Sequence, residues 1–399
     1  MSSESSFVWT KTLGKGSGRR IFAGMAERLR AAVAGVGFIG AVHVRAARLA
    51  NAEIVGVSGG EPGQTRVAAD ALHVDRVFES SEALAADPGV DVVHICTPNH
   101  LHAPLARIAL EAGKHVVCEK PLATSAADAA ELVDLAAHAR RVAAVPFVYR
   151  FHPVVREARA RIARGASGAI HLIHGSYLQD WLSSPDDYNW RVDRAMGGDS
   201  RAFADIGSHW CDLVEFVSGH RISAVSARSI IAYPERLLGS ANAFQRATGE
   251  GRRVRVEGED AVVMTFQTDG GAAGTLLVSQ ISPGRKNRLW FEIDAENEAI
   301  AFDQENPEQL WIGTREWQQI VLRDPPNLSA EAARYATLPA GHAQGYGDAF
   351  NAFVADAYAV ARGEVRDGLP TFADGLRAAR ITEAVMASAR GESWVPVPG

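Results

Sequence analysis

Two stretches of the sequence carry side chains that could move a proton. Lys120 stands between Glu119 and Pro121, directly after an apolar run that is typical of a parallel strand. Because proline fixes its own backbone and removes a donor, we expect the lysine to be held at the end of that strand. Cationic or apolar neighbours would lower the pKa of such a lysine and let it relay a proton. A surface lysine after a strand is the alternative interpretation.

The second stretch is Asp205-Ile206-Gly207-Ser208-His209, at the predicted start of a helix. Residues four positions apart share a helix face, so Asp205 and His209 can project to one spot. A histidine can accept the proton of a hydroxyl while hydride leaves the same carbon, and Asp205 could orient the substrate or stabilise the imidazolium. We expect this base to give a pH limb between about 6 and 8. An N-capping aspartate beside a core histidine is the alternative.

A glycine-rich turn at residues 35–40 predicts a binding site for a cofactor. The apolar residues before it are typical of a buried strand, and a helix is predicted from the turn to Leu49. Gly35 permits a tight turn, Gly37 lets the backbone approach a pyrophosphate and Gly40 lets helix and strand pack closely. The helix N-terminus presents free N–H groups and the positive end of its dipole to the phosphates. The pattern therefore predicts dinucleotide binding.

The predicted second strand, residues 53–57, ends in small residues and not in an acid. In an NAD-specific fold, a carboxylate at about this point accepts from the ribose 2′-hydroxyl. Ser58 and Gly59 would leave room for a 2′-phosphate, and Glu61 is the nearest acid. Arg66 is either a partner for that phosphate or a solvated helix residue. The cofactor is therefore predicted to be NAD or NADP, with the preference open.

The elements that position these residues alternate between strand and helix up to about residue 150. Strands are predicted at 91–96, 115–118 and 142–147, with helices near 103–112 and 125–139. This alternation predicts a doubly wound parallel sheet, and we assign residues 31–150 to a dinucleotide-binding domain.

After residue 150 the pattern changes to strands joined by turns. Strands are predicted at 170–177, 261–266, 273–280, 288–293 and 299–302, and closing helices at 346–362 and 372–389. Such a run predicts a large, mostly antiparallel open sheet with helices on one face, and thus an α/β chain overall. We assign residues 151–399 to a substrate-binding and oligomerisation domain whose last helix packs back toward the first domain.

The composition argues against several classes of partner. The chain has 399 residues, 47% of them hydrophobic, which is enough for two domains with cores. A net charge of −6 predicts no nucleic-acid partner, and no apolar run reaches the ~18 residues that span a bilayer. Cys96, Cys118 and Cys211 have neither metal-site nor disulfide spacing, so we expect no metal and reduced thiols in the cytoplasm.

The first thirty residues differ from the rest of the chain. Residues 1–18 are rich in Ser, Gly and Lys, and we predict a disordered arm over residues 1–30, with Met25 as an alternative start. The stretch 18–22 faintly resembles a twin-arginine export signal, but charged residues at 27, 28 and 30 interrupt the apolar core that export requires. We therefore expect the protein to be cytoplasmic.

Taken together, these motifs resemble the glucose–fructose oxidoreductase and inositol dehydrogenase family over roughly residues 31 to 395. The resemblance rests on the 35–40 turn, Thr97-Pro98-Asn99 with His102, Glu119-Lys120-Pro121, Trp190-Arg191, the 205–209 stretch, and Gly341-His342 with Gly345-Tyr346. It implies a Rossmann domain followed by an α/β domain on a large open sheet. It also implies oxidation or reduction of a carbinol of a sugar, polyol or related ring.

By this resemblance, catalysis falls to Lys120, Asp205 and His209. The implied cofactor-binding residues are Gly35, Gly37, Phe38, Ile39, Gly40, Ser58, Gly59, Thr97, Asn99, His102, Glu119, Lys120, Arg150, Trp190 and Arg191. The residues expected to contact substrate are Tyr149, Trp181, Tyr188, Trp190 and His209, since aromatic rings offer flat faces to the C–H side of a sugar.

Three interpretations follow from the sequence. The first is an NAD(P)-dependent sugar or polyol dehydrogenase, and the second is a glycosidase that uses tightly bound NAD for transient oxidation. The third is a cofactor-sensing regulator that has lost catalysis, although such a sensor would need neither the lysine nor the Asp–His pair. Because an apolar sheet face must be covered, a homo-dimer or homo-tetramer through the open sheet is expected.

Overall fold

The computed structural model describes residues 28–238 and 252–399, so the predicted arm lies outside the described residues up to residue 27. The strands are β1 Arg30–Ala34, β2 Glu53–Ser58, β3 Val92–Ile95, β4 His115–Cys118, β5 Ala143–Ala144, β6 Ile170–Leu178, β7 Ile222–Ile230, β8 Glu235–Leu237, β9 Arg253–Arg255, β10 Ala261–Thr268, β11 Ala273–Ser279, β12 Arg288–Ala295, β13 Ala299–Asp303, β14 Gln309–Gly313, β15 Gln318–Leu322 and β16 Val395–Pro396. The helices are α1 Phe38–Leu49, α2 Pro62–Ala71, α3 Ser81–Ala86, α4 His102–Glu111, α5 Ala126–Ala139, α6 Pro153–Ala163, α7 Arg194–Gly197, α8 Ser208–Ser218, α9 Ala330–Ala333, α10 Tyr346–Ala361 and α11 Phe372–Gly391.

The first sheet has five parallel strands in the order β2-β1-β3-β4-β5. Its central strands β1 and β3 are mostly apolar and are buried except at Arg30, because helices cover both faces. One core joins α3, α4, α5 and α11 to the sheet, and cores on the other face join α1, α2 and α10 to it. Because the strands are parallel, all of their carboxyl ends lie at one edge of the sheet.

The fifth strand is shorter than predicted. The sequence indicated a strand over 142–147, but β5 pairs with β4 only through Ala143 and Ala144. The N–H of Val145 donates to the carbonyl of Pro370, and the chain then turns through a short 3-10 helix, Val148–Phe151. This early exit from the sheet carries Tyr149 toward the second sheet.

The second sheet has nine strands in the order β15-β14-β13-β12-β6-β11-β10-β7-β16. Its strand pairs are antiparallel except for β11 and β6, which run parallel. Alternation of buried and exposed residues along β10 and β12 gives the sheet one buried and one open face. The buried face packs on α6, α8 and α11.

The helix that was predicted to start near Asp205 has two parts. Residues Phe203–Gly207 form a single π-helical turn, and α8 follows at Ser208. Such turns occur frequently at functional sites, because the extra residue re-aims neighbouring side chains. Asp205 lies in the turn and His209 in the regular helix, so they do not occupy adjacent positions of one ideal helix face.

The predicted fold class is confirmed: a doubly wound parallel sheet stands beside a large, mostly antiparallel open sheet. Across the two described ranges, no helix combines the length and apolar character that crossing a membrane requires.

Candidate active site

The glycine turn lies at the carboxyl end of β1. Gly35 has φ +100°, and its N–H donates to the carbonyl of Ser58 at 2.8 Å. A Cβ on Gly35 would lie 2.4 Å from the carbonyl oxygen of Cys96, and one on Gly40 would lie 2.0 Å from that of Gly35. A Cβ on Gly37, by contrast, would meet no described atom within 4 Å, so the start of α1 is open toward the cleft. Phe38 and Ile39 form the first turn of α1 there, with Phe38 exposed.

We call the carboxyl edge of the first sheet the cleft, with its β2 end after Ser58 and its β4 end after Cys118. In doubly wound sheets, ligands bind across this edge. A dinucleotide whose pyrophosphate meets the glycine turn on β1 spans both directions, with its adenosine half toward β2 and its other half toward β3 and β4.

At the β4 end, Lys120 and Asp205 form a nearly buried ion pair. Lys120 Nζ lies 2.6 Å from Asp205 Oδ1 and donates to the Asp205 backbone carbonyl at 2.7 Å, with both side chains 12% exposed. Arg191 Nε lies 3.2 Å from the same carboxylate oxygen, and Gln280 Nε2 donates to the other at 2.8 Å. Burial raises the pKa of Asp205, but Lys120 and Arg191 outweigh it and hold the pKa well below its usual range. Asp205 therefore stays ionised and anchors Lys120.

His209 faces the same group of side chains. Burial, reinforced by the charge of Lys120, lowers its pKa to about 3, below the 6 to 8 expected from sequence. Among the described residues, its buried Nδ1 atom has no hydrogen-bond partner. A neutral imidazole with an unused nitrogen can accept a proton from a bound hydroxyl.

Aromatic rings lie around His209, and an amide lies beyond them. The Tyr149 ring meets the His209 ring edge-on at 5.3 Å, and Phe147 does so at 5.5 Å. The Tyr149 and Tyr177 hydroxyls are 2.5 Å apart, and Tyr177 donates to Asn287 Oδ1 at 2.7 Å. This wall is uncharged, polar at its far end and flat near the histidine.

One more amide and a tryptophan extend this wall. Gln179 Nε2 donates to Asn287 Oδ1 at 2.9 Å, and Trp181 Nε1 donates to Gln179 Oε1 at 2.8 Å. Trp190 packs under the Arg191 guanidinium at 4.4 Å. The indole of Trp181 is thereby tied to the amide network that faces His209, whereas Trp190 supports the arginine that binds Asp205.

Sequence reasoning missed several residues of the site. These are Tyr177, Gln179, Gln280, Asn287 and Tyr346. Tyr177 and Gln179 lie at the end of β6, Gln280 follows β11, and Asn287 precedes β12. Parallel pairing of β6 with β11 brings the first three together, and no local pattern predicts that pairing. Tyr346 belongs to a motif that carries the family resemblance, but sequence reasoning assigned it no role in the site. Its ring lies 6.1 Å from that of Tyr149.

Three of the predicted cofactor-binding residues, Thr97, Asn99 and His102, lie at the carboxyl end of β3. Their side chains differ in hydrogen bonding. Thr97 Oγ1 is buried without a hydrogen-bond partner in the described ranges. Asn99 Nδ2 donates to the carbonyl of Gly197 at 2.8 Å. His102 lies between the carbonyls of Thr97 and Pro121, at 2.9 and 2.7 Å, and so joins the loops after β3 and β4. The threonine therefore keeps a buried polar atom that a ligand could engage.

Two predicted residues have their side chains engaged elsewhere. The Arg150 guanidinium is buried in ion pairs with Asp212 and Asp374, so it links α8 to α11 and is not brought to the Lys120 group. Tyr188 packs against the small apolar cluster of Leu182, Val192 and Val256. An arginine after a strand end and a loop tyrosine give no local signal of such partners.

The β2 end of the cleft is built differently. Ser58 is buried and its hydroxyl bonds that of Ser81 at 2.9 Å, so it turns away from a ribose. Glu61 caps α2 by accepting from the N–H groups of Gly63 and Gln64. Arg66 binds Asp70 and the carbonyls of Val74 and Asp75, which makes it the local helix arginine of the alternative interpretation.

The open turn at Gly37 and the unpartnered Thr97 Oγ1 and His209 Nδ1 fit a nicotinamide dinucleotide along the cleft. A glycine turn on β1 that can bind phosphate, together with an ion-paired lysine and a neutral histidine at the β4 end, defines the class of NAD(P)-dependent oxidoreductases. The chain belongs to the GFO/IDH/MocA family. Residues 29–147 match its model for the oxidoreductase family with an NAD-binding Rossmann fold, and residues 155–301 match its C-terminal domain.

Relatives of known name agree with that class. Levoglucosan dehydrogenase of Pseudarthrobacter phenanthrenivorans is 34% identical over 344 residues, which cover 80% of this chain and 84% of the relative. The structure of levoglucosan dehydrogenase in complex with NADH and L-sorbose matches with a TM-score of 0.83 and 31% identity, over 93% of this chain and 99% of that one. An inositol dehydrogenase homologue from Azotobacter vinelandii, complexed with NAD+, matches with a TM-score of 0.83 and 28% identity, over 93% and 98% of the two chains.

Proposed function

We propose that the protein is a dehydrogenase that oxidises a ring carbinol of an uncharged sugar, anhydrosugar or polyol, with His209 as the base. The observation that carries this proposal is the grouping of Lys120, ionised Asp205 and neutral His209 at the β4 end of the cleft. The names of the levoglucosan and inositol dehydrogenase relatives support the substrate class.

In this proposal each residue has one task. The cofactor, when bound, supplies the hydride acceptor. His209 accepts the carbinol proton through Nδ1, which is the atom left without a partner. Lys120 donates a hydrogen bond to the oxygen whose charge develops, and Asp205 keeps the ammonium in place. Gln280 and Arg191 hold Asp205 in turn.

The wall beside His209 indicates what the substrate resembles. Tyr149, Tyr177, Gln179 and Asn287 supply hydroxyl and amide groups, which suit neutral hydroxyls rather than carboxylates or phosphates. The ring faces around His209 suit the C–H side of a compact ring. We therefore place levoglucosan-like anhydrosugars first and inositols second.

A panel assay tests the proposal. Purified protein receives NAD+ or NADP+ with levoglucosan, L-sorbose, myo-inositol or D-xylose, and formation of reduced cofactor is followed with sugar phosphates as charged controls. The proposal predicts steady reduction with at least one neutral ring and none with the phosphates. Conversion of a glycoside without net reduction would instead identify the glycosidase, and binding of cofactor without any turnover would identify a sensor.

We also propose that a second copy covers the open face of the nine-stranded sheet. Val263 and Leu277 are paired neighbours there, and Leu172 lies on the same face, each more than 40% exposed. Light scattering is expected to give a dimer or tetramer, and Leu277→Arg should shift it toward monomer. An unchanged mass would place the interface elsewhere.

We further propose that the chain divides into two domains near residue 150, and limited proteolysis tests this division.

A further inference from the structure

A buried chain of polar groups runs from the β4 end of the cleft into the body of the first domain. Glu119 follows β4, His43 lies on α1, His94 on β3 and Tyr358 on α10, and all four are buried. His43 Nε2 lies 3.1 Å from Glu119 Oε1, and His43 Nδ1 lies 2.7 Å from His94 Nδ1. His94 Nε2 lies 2.7 Å from the Tyr358 hydroxyl. The proposed proton transfer uses none of these four groups.

The chemistry of the groups fixes the direction of the chain. Burial raises the pKa of Glu119, but the hydrogen bond from His43 and the charge of Lys120 outweigh burial and lower the pKa below its usual range, so the carboxylate is ionised and can only accept. Because Glu119 can only accept, His43 donates from Nε2 to Glu119, and its Nδ1 atom accepts from His94. His94 then accepts at Nε2 from the Tyr358 hydroxyl. Burial also lowers the pKa of His94 well below its usual range, which favours the neutral ring.

This arrangement satisfies the four groups and aligns three donors toward one carboxylate. Glu119 Oε2 accepts in addition from the backbone N–H of Lys120 at 3.2 Å. The charge of Glu119 is thus fixed next to the residue that reaches Asp205. By the topology of the sheet, this is the half of the cleft away from the adenosine end, where the nicotinamide ring of a dinucleotide lies.

We propose that His43 is a positioning residue that holds Glu119 as an anion at the nicotinamide half of the cleft and so favours binding of oxidised over reduced cofactor. The inference rests on the proposed function. A fixed negative charge attracts the positively charged ring of NAD+ and has no such attraction for the neutral ring of NADH. Because the site is buried, solvent screens this difference weakly.

The test compares dissociation constants for NAD+ and NADH, and does not depend on turnover. NADH binding is followed by fluorescence and NAD+ binding by displacement of NADH. His43→Phe keeps a ring of similar size but removes both hydrogen bonds. We expect NAD+ affinity to fall about tenfold more than NADH affinity, the size of a hydrogen bond to a charged group. His43→Gln can place an amide N–H where Nε2–H stands, so it should restore most of the ratio.

Coupling to Glu119 separates this role from general stability. Glu119→Gln should change the ratio in the same direction, and adding His43→Phe to it should change the ratio little further. Ser388→Ala is the control, because it removes buried hydrogen bonds remote from the cleft and should lower only the thermal midpoint. Tyr358→Phe removes the last donor alone and should shift the ratio about twofold, which gives a second measurement if His43→Phe does not fold.

Two outcomes overturn the proposal. In the first, the ratio of the NAD+ and NADH dissociation constants stays constant in the His43 and Tyr358 variants while stability falls. In the second, His43→Phe changes this ratio as much in the Glu119→Gln background as it does in the wild type. Wild-type protein that binds neither NAD+ nor NADH would instead overturn the proposed function. The two failures are therefore distinguishable.

Discussion

The two ends of the cleft place their charges in opposite ways. At the β4 end, Lys120 and Asp205 are 85 positions apart in the sequence and meet at 2.6 Å in a nearly buried pair. At the β2 end, the partners of Glu61 and Arg66 within the described ranges all lie within nine residues of them, and Glu61 is exposed while Arg66 is half-buried. The first arrangement needs both sheets to be formed, whereas the second is satisfied within one helix and its flanking turns.

This difference predicts where substitutions are costly. When a buried charge loses its partner, water cannot take the place of that partner. Substitutions at the β4 end should therefore have large effects on activity and stability. At the β2 end, solvent screens each charge and compensates its loss. Catalysis should therefore depend steeply on the β4 end, and cofactor preference weakly on the β2 end.

The largest effect is expected for Lys120→Ala. Turnover should fall by at least ~10²-fold, because the developing negative charge loses its donor and Asp205 loses its main partner. The dissociation constant for cofactor should change much less. Steady-state kinetics and fluorescence titration measure the two quantities.

Lys286→Ala is the matched control, since Lys286 pairs with Asp180 but its side chain is 77% exposed. The control should keep full turnover. If Lys120→Ala keeps it as well, the lysine has no part in the proton step.

His209→Asn should lower turnover by about 10²-fold, because an amide cannot accept the carbinol proton. Since burial and Lys120 lower the pKa of His209 to about 3, the base is already neutral above about pH 5. The kcat/KM of the wild type should therefore lack a His209 limb between pH 6 and 8. His220→Asn, at a part-buried histidine bonded to Thr268, is the control. A limb in that range that disappears in His209→Asn would contradict the burial argument.

Acid should destabilise the protein through its buried histidines. Burial lowers the pKa of His152 to about 4, whereas histidines of an unfolded chain titrate near ~6.5. Between these values the unfolded chain binds more protons, so the free energy of unfolding falls as pH decreases through this window. We expect His152 alone to cost about 1–2 kcal/mol between pH 7 and 5.

Thermal unfolding at both pH values measures this effect. His152→Phe keeps a ring beside Tyr149 and Phe302 and should narrow the difference between the two midpoints. An equal difference in the variant would show that His152 does not contribute.

The smallest effect is expected at the β2 end. Gly60→Asp adds a carboxylate where a Cβ would meet no described atom within 4 Å, so it should favour NAD+ over NADP+ by about fivefold through repulsion of the 2′-phosphate. Gly59 is unsuitable, because a Cβ there would lie 2.4 Å from Thr65 Oγ1. Gly60→Asn has the same shape without the charge. Equal ratios of kcat/KM in the two variants would exclude a charge effect.

Local patterns allowed much of the fold to be predicted. The glycine turn, the strand after it and helices such as α5 follow from short-range spacing and capping, including Ser125, whose side chain accepts from Asp128 N–H. The family resemblance rested on the 119–121 and 205–209 motifs, and these are the residues that meet at the β4 end. Spacing alone did not predict the π-helical turn at Phe203–Gly207, which places Asp205 and His209 in different helical segments.

Other parts of the site depend on long-range packing. Arg150 was assigned to the cofactor, yet Asp212 and Asp374 hold it, and Asp374 is 224 positions away in the sequence. Gln280 and Asn287 reach the site only through the pairing of β6 with β11 and β12. The pKa of His209 could not be predicted, because its burial against Phe147 and Tyr149 comes from the early exit of the chain from β5.

The proposed dehydrogenase function requires that hydride pass directly from a substrate carbon to the cofactor. The neutral ring that the protein oxidises fastest is prepared with deuterium on the oxidised carbon and incubated with NAD+, and the reduced cofactor is analysed by mass spectrometry. The account predicts one deuterium in each reduced cofactor, a slower rate than with the unlabelled ring, and near-complete loss of the reaction in His209→Asn. Unlabelled reduced cofactor, with the deuterium released to water, would contradict it.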